Sequence, residues 1–333
     1  MFKRSQMIAS VAMATALVLT GCGASNEGSG EDAAGDNGDT AAADSPWADC
    51  DMTDGVADVS SVEQGADKEI SIAAFNGWDE SWATAHILKA VLVDEGYTVE
   101  IKALDAAPAY TAVAKGDVDI LTDGWLPITH DDYITEYGDD LESLGCWYDN
   151  AKLTIAVNED SPAKTIADLA DMGDEYNNAI VGIEPGAGLT KQTQESAIPT
   201  YGLEDYTFTT SSTPAMLAAI KKSQADGENI AVTLWRPHWA YAAFPMRDLE
   251  DPENAMGGAE FIYSFATKGF EDENPYVAQL VKNLILNDER LASLENVMFG
   301  EENFNGSDND AAVAQWLGEN PDFVEELKAG TLA

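Results

Sequence analysis

Between residues 68 and 234, short apolar runs alternate with helix-length segments, and this alternation constrains the fold more than any other feature. The apolar runs predict strands at 69–75, 98–104, 118–121, 152–157, 179–183 and 230–234. Between them the pattern predicts helices at 80–95, 109–115, 166–169, 188–196 and 213–223, and helices dominate from 275 onward. Strands alternating with helices imply an α/β fold of mostly parallel sheets covered on both faces. A chain of 333 residues exceeds one small core. The segment 152–157 is expected to cross between two lobes, with a return crossing between 247 and 263. This gives one lobe from 68–152 plus 250–333 and a second from 153–249, joined as a hinged cleft. No internal apolar run approaches the roughly 20 residues needed to span a bilayer.

Four of the strands end in unusual residues. The run 72–75 leads into Asn76-Gly77-Trp78-Asp79. The run 118–121 leads into Thr122-Asp123-Gly124-Trp125-Leu126-Pro127-Ile128-Thr129-His130. The run 179–181 leads into Gly182-Ile183-Glu184-Pro185-Gly186-Ala187-Gly188, and 230–234 into Trp235-Arg236-Pro237-His238-Trp239. Ligands of open α/β sheets bind just beyond the carboxyl ends of strands, and three of the eight tryptophans fall there: Trp78, Trp125 and Trp235. A tryptophan face is negative and attracts a cation lying over it, at about 0.5–2 kcal/mol per ring. A quaternary ammonium has no N–H to donate, so an aromatic cage is the natural means of recognising it. Three tryptophans in this setting therefore predict a quaternary-ammonium site.

The turn from Gly182 to Gly188 offers backbone N–H groups at a predicted helix start, which suits an anion. It is not a phosphate loop, because Gly188 is followed by Leu189-Thr190-Lys191. A ligand carboxylate is the expected anion, held by the backbone N–H groups of this turn. His238 lies three residues past Trp235 and His130 five past Trp125, and both are candidate donors to it. His86 and Trp82 are assigned to the packing of the first helix, and Arg236 to a rim salt bridge. Trp47, Trp147 and Trp316 have no such setting.

The N-terminus reads as a targeting segment. Lys3 and Arg4 precede an apolar stretch 7–19 and then Leu19-Thr20-Gly21-Cys22, which predicts a signal peptide over 1–21 and lipid on Cys22. Residues 22–46 contain almost no large apolar residue and read as a disordered tether. With Cys22 assigned to lipid, Cys50 and Cys146 remain, and an even number outside the cytoplasm suggests one disulfide. The net charge is −43; loss of Lys3 and Arg4 with the leader lowers it by two, to −45. Such a surface excludes nucleic acid and anionic lipid as partners. It suits a salty habitat, since about 1 M salt shortens the Debye length to about 3 Å.

Taken together, the segments 77–79, 124–130, 182–188, Ser212-Thr213-Pro214-Ala215-Met216, 235–239 and Leu249-Glu250-Asp251-Pro252 resemble the glycine betaine/proline betaine importer binding proteins, the substrate-binding subunits of osmoprotectant ABC transporters. The resemblance covers roughly 68–300. It implies a two-lobed, type II periplasmic-binding-protein fold and no cofactor. It places the trimethylammonium among Trp78, Trp125 and Trp235, and the carboxylate on the Gly182 and Ile183 amides and His238. It also implies a membrane permease and its ATPase as partners. Arg236, where the family often carries a small residue, and Asp123-Gly124 depart from its pattern. The nearest alternatives are choline, carnitine or ectoine as ligand; a choline site needs no carboxylate clamp, so His238 and the Gly182 turn speak against it. An enzyme is not expected: there are only three histidines, no metal-ligand cluster and no Gly-x-Ser-x-Gly elbow for a secreted hydrolase. A ligand sensor paired with a signalling receptor stays open.

Overall fold

A computed structural model of the chain describes residues 45–65 and 68–332. The expected signal peptide, the lipidated Cys22 and the tether up to residue 44 lie outside the described residues. The strands are β1 (Glu69–Phe75), β2 (Thr98–Leu104), β3 (Ile120–Leu126), β4 (Leu141–Asn158), β5 (Ala179–Val181), β6 (Thr207–Thr209), β7 (Ala231–Arg236), β8 (Met246–Asp248) and β9 (Glu260–Thr267). The helices that position the site are α1 (Asp79–Asp94), α2 (Ala106–Ala114), α3 (Asp131–Tyr137), α4 (Gly188–Gln192), α5 (Thr213–Asp226), α6 (Pro275–Lys282), α7 (Asp288–Phe299), α8 (Asn309–Glu319) and α9 (Phe323–Ala329).

The hydrogen-bonded order is β2-β1-β3-β9-β4-β7-β5-β6, with β8 on β4. The outer pairs, β1 with β2 and β3 and β5 with β6 and β7, are parallel. The pairs around the middle, β3 with β9 and β4 with β9, β7 and β8, are antiparallel. The fold is thus mixed α/β rather than mostly parallel, because the chain runs out along β4 and returns along β8 and β9. β4 changes partner along its length: Ala151 pairs with Glu260 of β9, and the next residue, Lys152, with Arg236 of β7. One strand therefore belongs to both halves of the sheet.

Two strands differ from the expected pattern. The run 118–121 continues as β3 to Leu126, since Thr122 and Asp123 are buried and the ladder to β9 resumes at Gly124 after a bulge. The first half of β4 was not anticipated, because register shifts at Ser143, Cys146 and Tyr148 break its alternation. The core is continuous across both halves and includes Ile72, Phe75, Leu88, Ile120, Ile155 and Leu234. α1 starts with Asp79 and Glu80 in its first turn, the favoured place for acids at a helix N-terminus, and packs against β1, α7 and α8. Cys50 is joined to Cys146 with Cα atoms 5.9 Å apart. Trp47 meets Tyr263 and Phe265 edge-on at 5.2 and 5.7 Å, so the segment before β1 is bound to β4 and β9.

Candidate ligand-binding site

The two halves of the sheet meet along the carboxyl ends of β1, β3 and β7. Trp78 is the N-cap of α1, just after β1. Trp125 and Trp235 are the penultimate residues of β3 and β7, each followed by a cis X-Pro bond one residue on. All three are buried, and all three line one cavity together with Glu80, Thr129 and Leu153. The space left free between these side chains is small, about 10 Å³. The rings of Trp78 and Trp235 are 6.0 Å apart and inclined at 44°. The sequence-predicted tryptophans are thus brought together from three separate segments.

Each expected histidine flanks one of these rings. His130 stacks on Trp78 at 5.6 Å and 9°, and His238 meets Trp235 edge-on at 4.5 Å. Their wiring is alike. The Trp125 N–H donates to His130 Nδ1 and the Ala240 N–H to His238 Nδ1, both at 2.9 Å. With Nδ1 accepting, Nε2 carries the proton. Both Nε2 atoms are buried without a hydrogen-bond partner. Burial holds each ring's pKa down to about 3, so both are neutral donors across the physiological range.

The glycine turn differs from expectation. The Gly182 N–H donates to the Thr209 carbonyl at 2.7 Å, because the β5–β6 ladder runs one residue past Val181. That amide is bonded to the sheet, so its assignment as a carboxylate donor requires this bond to give way. Ile183 is tied through its carbonyl, which accepts from the Ser211 N–H at 3.0 Å. Arg236 lies away from the cavity lining: it pairs with Asp248 at 2.8 Å and stacks over Tyr241 at 3.6 Å. Trp82 donates to the Phe75 carbonyl at 2.9 Å and stacks on His86, whose Nδ1 pairs with Asp310. Both belong to the packing of α1, as expected.

Several supporting residues were not foreseen. Asp123 accepts from Trp125 Nε1 at 2.8 Å and fixes that ring. Glu260, at the start of β9, accepts from the N–H groups of Ile128 and Thr129 at 3.0 and 2.7 Å and from the Thr129 hydroxyl, which holds the turn below the cavity. Asp79 accepts from Trp239 Nε1, a bond from α1 to the segment after β7. Glu80 lines the cavity itself. Burial pushes the carboxyls of Asp79 and Asp123 up to about 7, although each accepts an indole N–H that lowers it. Burial, reinforced by neighbouring carboxylates, holds Glu80 and Glu295 well above the ordinary range. Such acids follow no motif; only contacts between distant segments reveal them. Among the described residues no group of His, Cys, Asp and Glu could hold a metal, and no helix is long and apolar enough to cross a membrane.

Comparison with known proteins gives a consistent set of likenesses. Residues 68–319 match the family model OpuAC, described as the substrate binding domain of ABC-type glycine betaine transport systems. The chain is 36% identical over 162 residues to the glycine betaine/carnitine transport binding protein GbuC of Listeria monocytogenes, which is 48% of this chain and 52% of that protein. The matched stretch thus spans about half the length of that relative. Lactococcal OpuAC in its closed, liganded conformation with glycine betaine superposes with a TM-score of 0.72 at 28% identity, covering 78% of this chain and 99% of that one. An ABC-transporter choline binding protein in complex with choline gives a TM-score of 0.71 at 26% identity, covering 79% and 92%.

Proposed function

The chain belongs to the family of substrate-binding domains of ABC-type glycine betaine transport systems, and on that premise we propose that it is an extracytoplasmic receptor that captures glycine betaine for import. One observation carries the reading: Trp78, Trp125 and Trp235, from three separate segments, line a single buried cavity. A trimethylammonium group among them gains cation–π attraction of about 0.5–2 kcal/mol per ring, and more from packing its methyl groups. The carboxylate end is taken by His238 Nε2–H, with His130 Nε2–H as its counterpart from the other half of the sheet and the Ile183 amide as a further donor. Two unpartnered, permanently neutral N–H donors beside an aromatic cage support this assignment. The two lobes, 68–152 plus 250–333 and 153–249, close over the ligand, and the closed receptor docks on a membrane permease driven by its ATPase. Cys22 anchors the receptor by lipid, and the segment 22–46 serves as its tether.

Calorimetry with glycine betaine, choline, carnitine and ectoine in about 1 M sodium chloride tests the reading at a Debye length of about 3 Å. Saturable binding of glycine betaine supports it. Failure of every quaternary ammonium to bind sinks it. Membrane fractionation of the Cys22→Ser variant tests the anchor, which is wrong if the variant stays with membranes after a salt wash. Choline is the second reading. It is favoured by Glu80, an acid on the cavity wall that suits a ligand with no carboxylate of its own.

A further inference from the structure

The tryptophan cavity has an acidic side. Glu80 lines it, is fully buried, and has no hydrogen-bond partner for its carboxylate outside its own residue, whose backbone N–H is the one donor near it. Asp123 of β3 and Glu295 of α7 stand near it, each fully or almost fully buried and each with one unpartnered oxygen. The charges that bear on Glu80 are those of Asp123, Glu295 and Asp79 from its own helix turn, all of its own sign. The histidines of the site, His130 and His238, are neutral. The basic groups of α1, His86 and Lys89, are turned to Asp310 of α8 on later turns of the helix.

A buried carboxyl with no donor beyond its own backbone is among the most destabilising groups a fold can carry. Local structure does not demand it: an acid in the first turn serves the helix dipole as well when solvated. Its position beside three indole rings supplies the missing reason, because rings and carboxylate favour the same partner, a compact cation that cannot donate a hydrogen bond.

We propose that Glu80 is the counter-ion of the ligand, meeting the cationic head group seated among Trp78, Trp125 and Trp235, and that the Glu80–Asp123–Glu295 cluster releases a proton to solvent as that cation enters. The proposal rests on the reading of the cavity as a quaternary-ammonium site. The balance is simple. In the free receptor the cluster holds protons, because several carboxylates so close together cannot all ionise in a buried place. On binding, the carboxylic acid becomes a carboxylate, one proton leaves, and the ligand's positive charge replaces it. No bond forms to the cation. The ligand class is accordingly a full positive charge on a tetrahedral, fully alkylated nitrogen. A neutral isostere with a tert-butyl head is rejected. The acid side also orients a zwitterion, with its ammonium toward Glu80 and its carboxylate toward His238.

The test is calorimetry of the full chain with choline, glycine betaine and the neutral choline isostere 3,3-dimethylbutan-1-ol. It is run near pH 7 in two buffers of different ionisation enthalpy, and again across about pH 6 to 8. For wild type the expected binding heat differs between the buffers by the equivalent of up to about one proton released, and affinity rises with pH by up to about tenfold per pH unit. The neutral isostere binds at least about a hundredfold more weakly than choline. Glu80→Gln removes both the buffer dependence and the pH slope. Glu295→Gln, which removes a neighbouring charge without touching the cavity, lets Glu80 ionise more easily and shifts the pH profile to lower pH. Equal heats in the two buffers with a flat pH profile in wild type overturn the counter-ion, and this measurement needs no variant to fold. Binding of the isostere as tightly as choline also overturns it. If wild type binds no quaternary ammonium at any pH, the reading of the cavity fails and takes the counter-ion with it; binding without proton release removes the counter-ion alone.

Discussion

Gly188, at the start of α4, presses against the backbone of Thr129, beyond β3: a Cβ on Gly188 would come within 2.9 Å of the Thr129 carbonyl carbon and nearer still to its oxygen. The two residues come from opposite halves of the sheet. Nearby, Tyr133 donates to the Gly186 carbonyl at 3.0 Å and Lys191 pairs with Asp132. Gly188→Ala is therefore expected to hold the halves apart without disturbing either core. Its ligand affinity should fall at least about tenfold, the equivalent of about 1.4 kcal/mol, while its thermal midpoint without ligand stays near wild type. Calorimetry and scanning calorimetry check the pair of outcomes; unchanged affinity would show that this contact is not part of closure.

The cage and the histidine donor should separate by ligand. Trp235→Leu, which keeps an apolar side chain in place, is expected to weaken betaine and choline alike by about 1–3 kcal/mol, or roughly tenfold to a hundredfold. His238→Ala should weaken betaine strongly and choline little, because choline has no carboxylate. With its pKa held to about 3, the His238 donor does not titrate between about pH 5 and 9. Titrations of both ligands followed by tryptophan fluorescence distinguish the two effects. Equal losses for both ligands in His238→Ala would make the histidine a support for Trp235 instead of a ligand donor.

Glu80 should also be visible in stability. Its folded pKa lies well above its unfolded one. The folded state therefore holds a proton that the unfolded state gives up, and the associated stability, complete below the unfolded pKa, is lost as pH rises through the folded value. Removing the ionisable group should then stabilise the ligand-free chain increasingly as pH rises. Thermal unfolding of Glu80→Gln is expected to exceed wild type by a few degrees near pH 8, with the difference closing toward pH 5. A variant less stable than wild type at both pH values would contradict the buried, uncompensated charge.

The surface charge makes a further demand. At a net charge of −43, self-repulsion opposes the compact state and salt relieves it. The thermal midpoint should rise between about 0.1 and 2 M sodium chloride. Sulfate is avoided, since exclusion from protein surfaces stabilises most folds. A flat or falling midpoint would remove the case for salt adaptation.

The elements that could be read directly from the sequence were those whose pattern is local. β1, β2, β7 and α1 carry apolar periodicity within their own residues, and the tryptophans at their ends stand out by type and position. The first half of β4 does not, because its bulges displace the alternation around Gly145 and Cys146. β3 reads as ending at Leu121 for a related reason: polar residues normally mark a strand end, but here Thr122 and Asp123 are buried and bonded. Glu80 is the instructive case. In sequence it is an ordinary acid in a helix's first turn. Its role depends on Asp123 and Glu295, which only the fold brings near, and no spacing rule connects the three. The Gly182 amide is the opposite case, since a motif that offers free N–H groups as a string of letters has one of them bonded to the neighbouring strand.

The N-terminal segment is moored on one side only. Trp47 rests on Tyr263 and Phe265, Cys50 is linked to Cys146, and the Ala57 N–H and carbonyl are both bonded to Asn283. Each of these holds to β9, to the first half of β4, or to the residues just after α6, and none to β5, β6, β7 or β8. A pull arriving from the N-terminal direction is therefore taken up within one half of the molecule, like a boat held by its bow. The half that holds β5, β6, β7 and β8 is left free of that load.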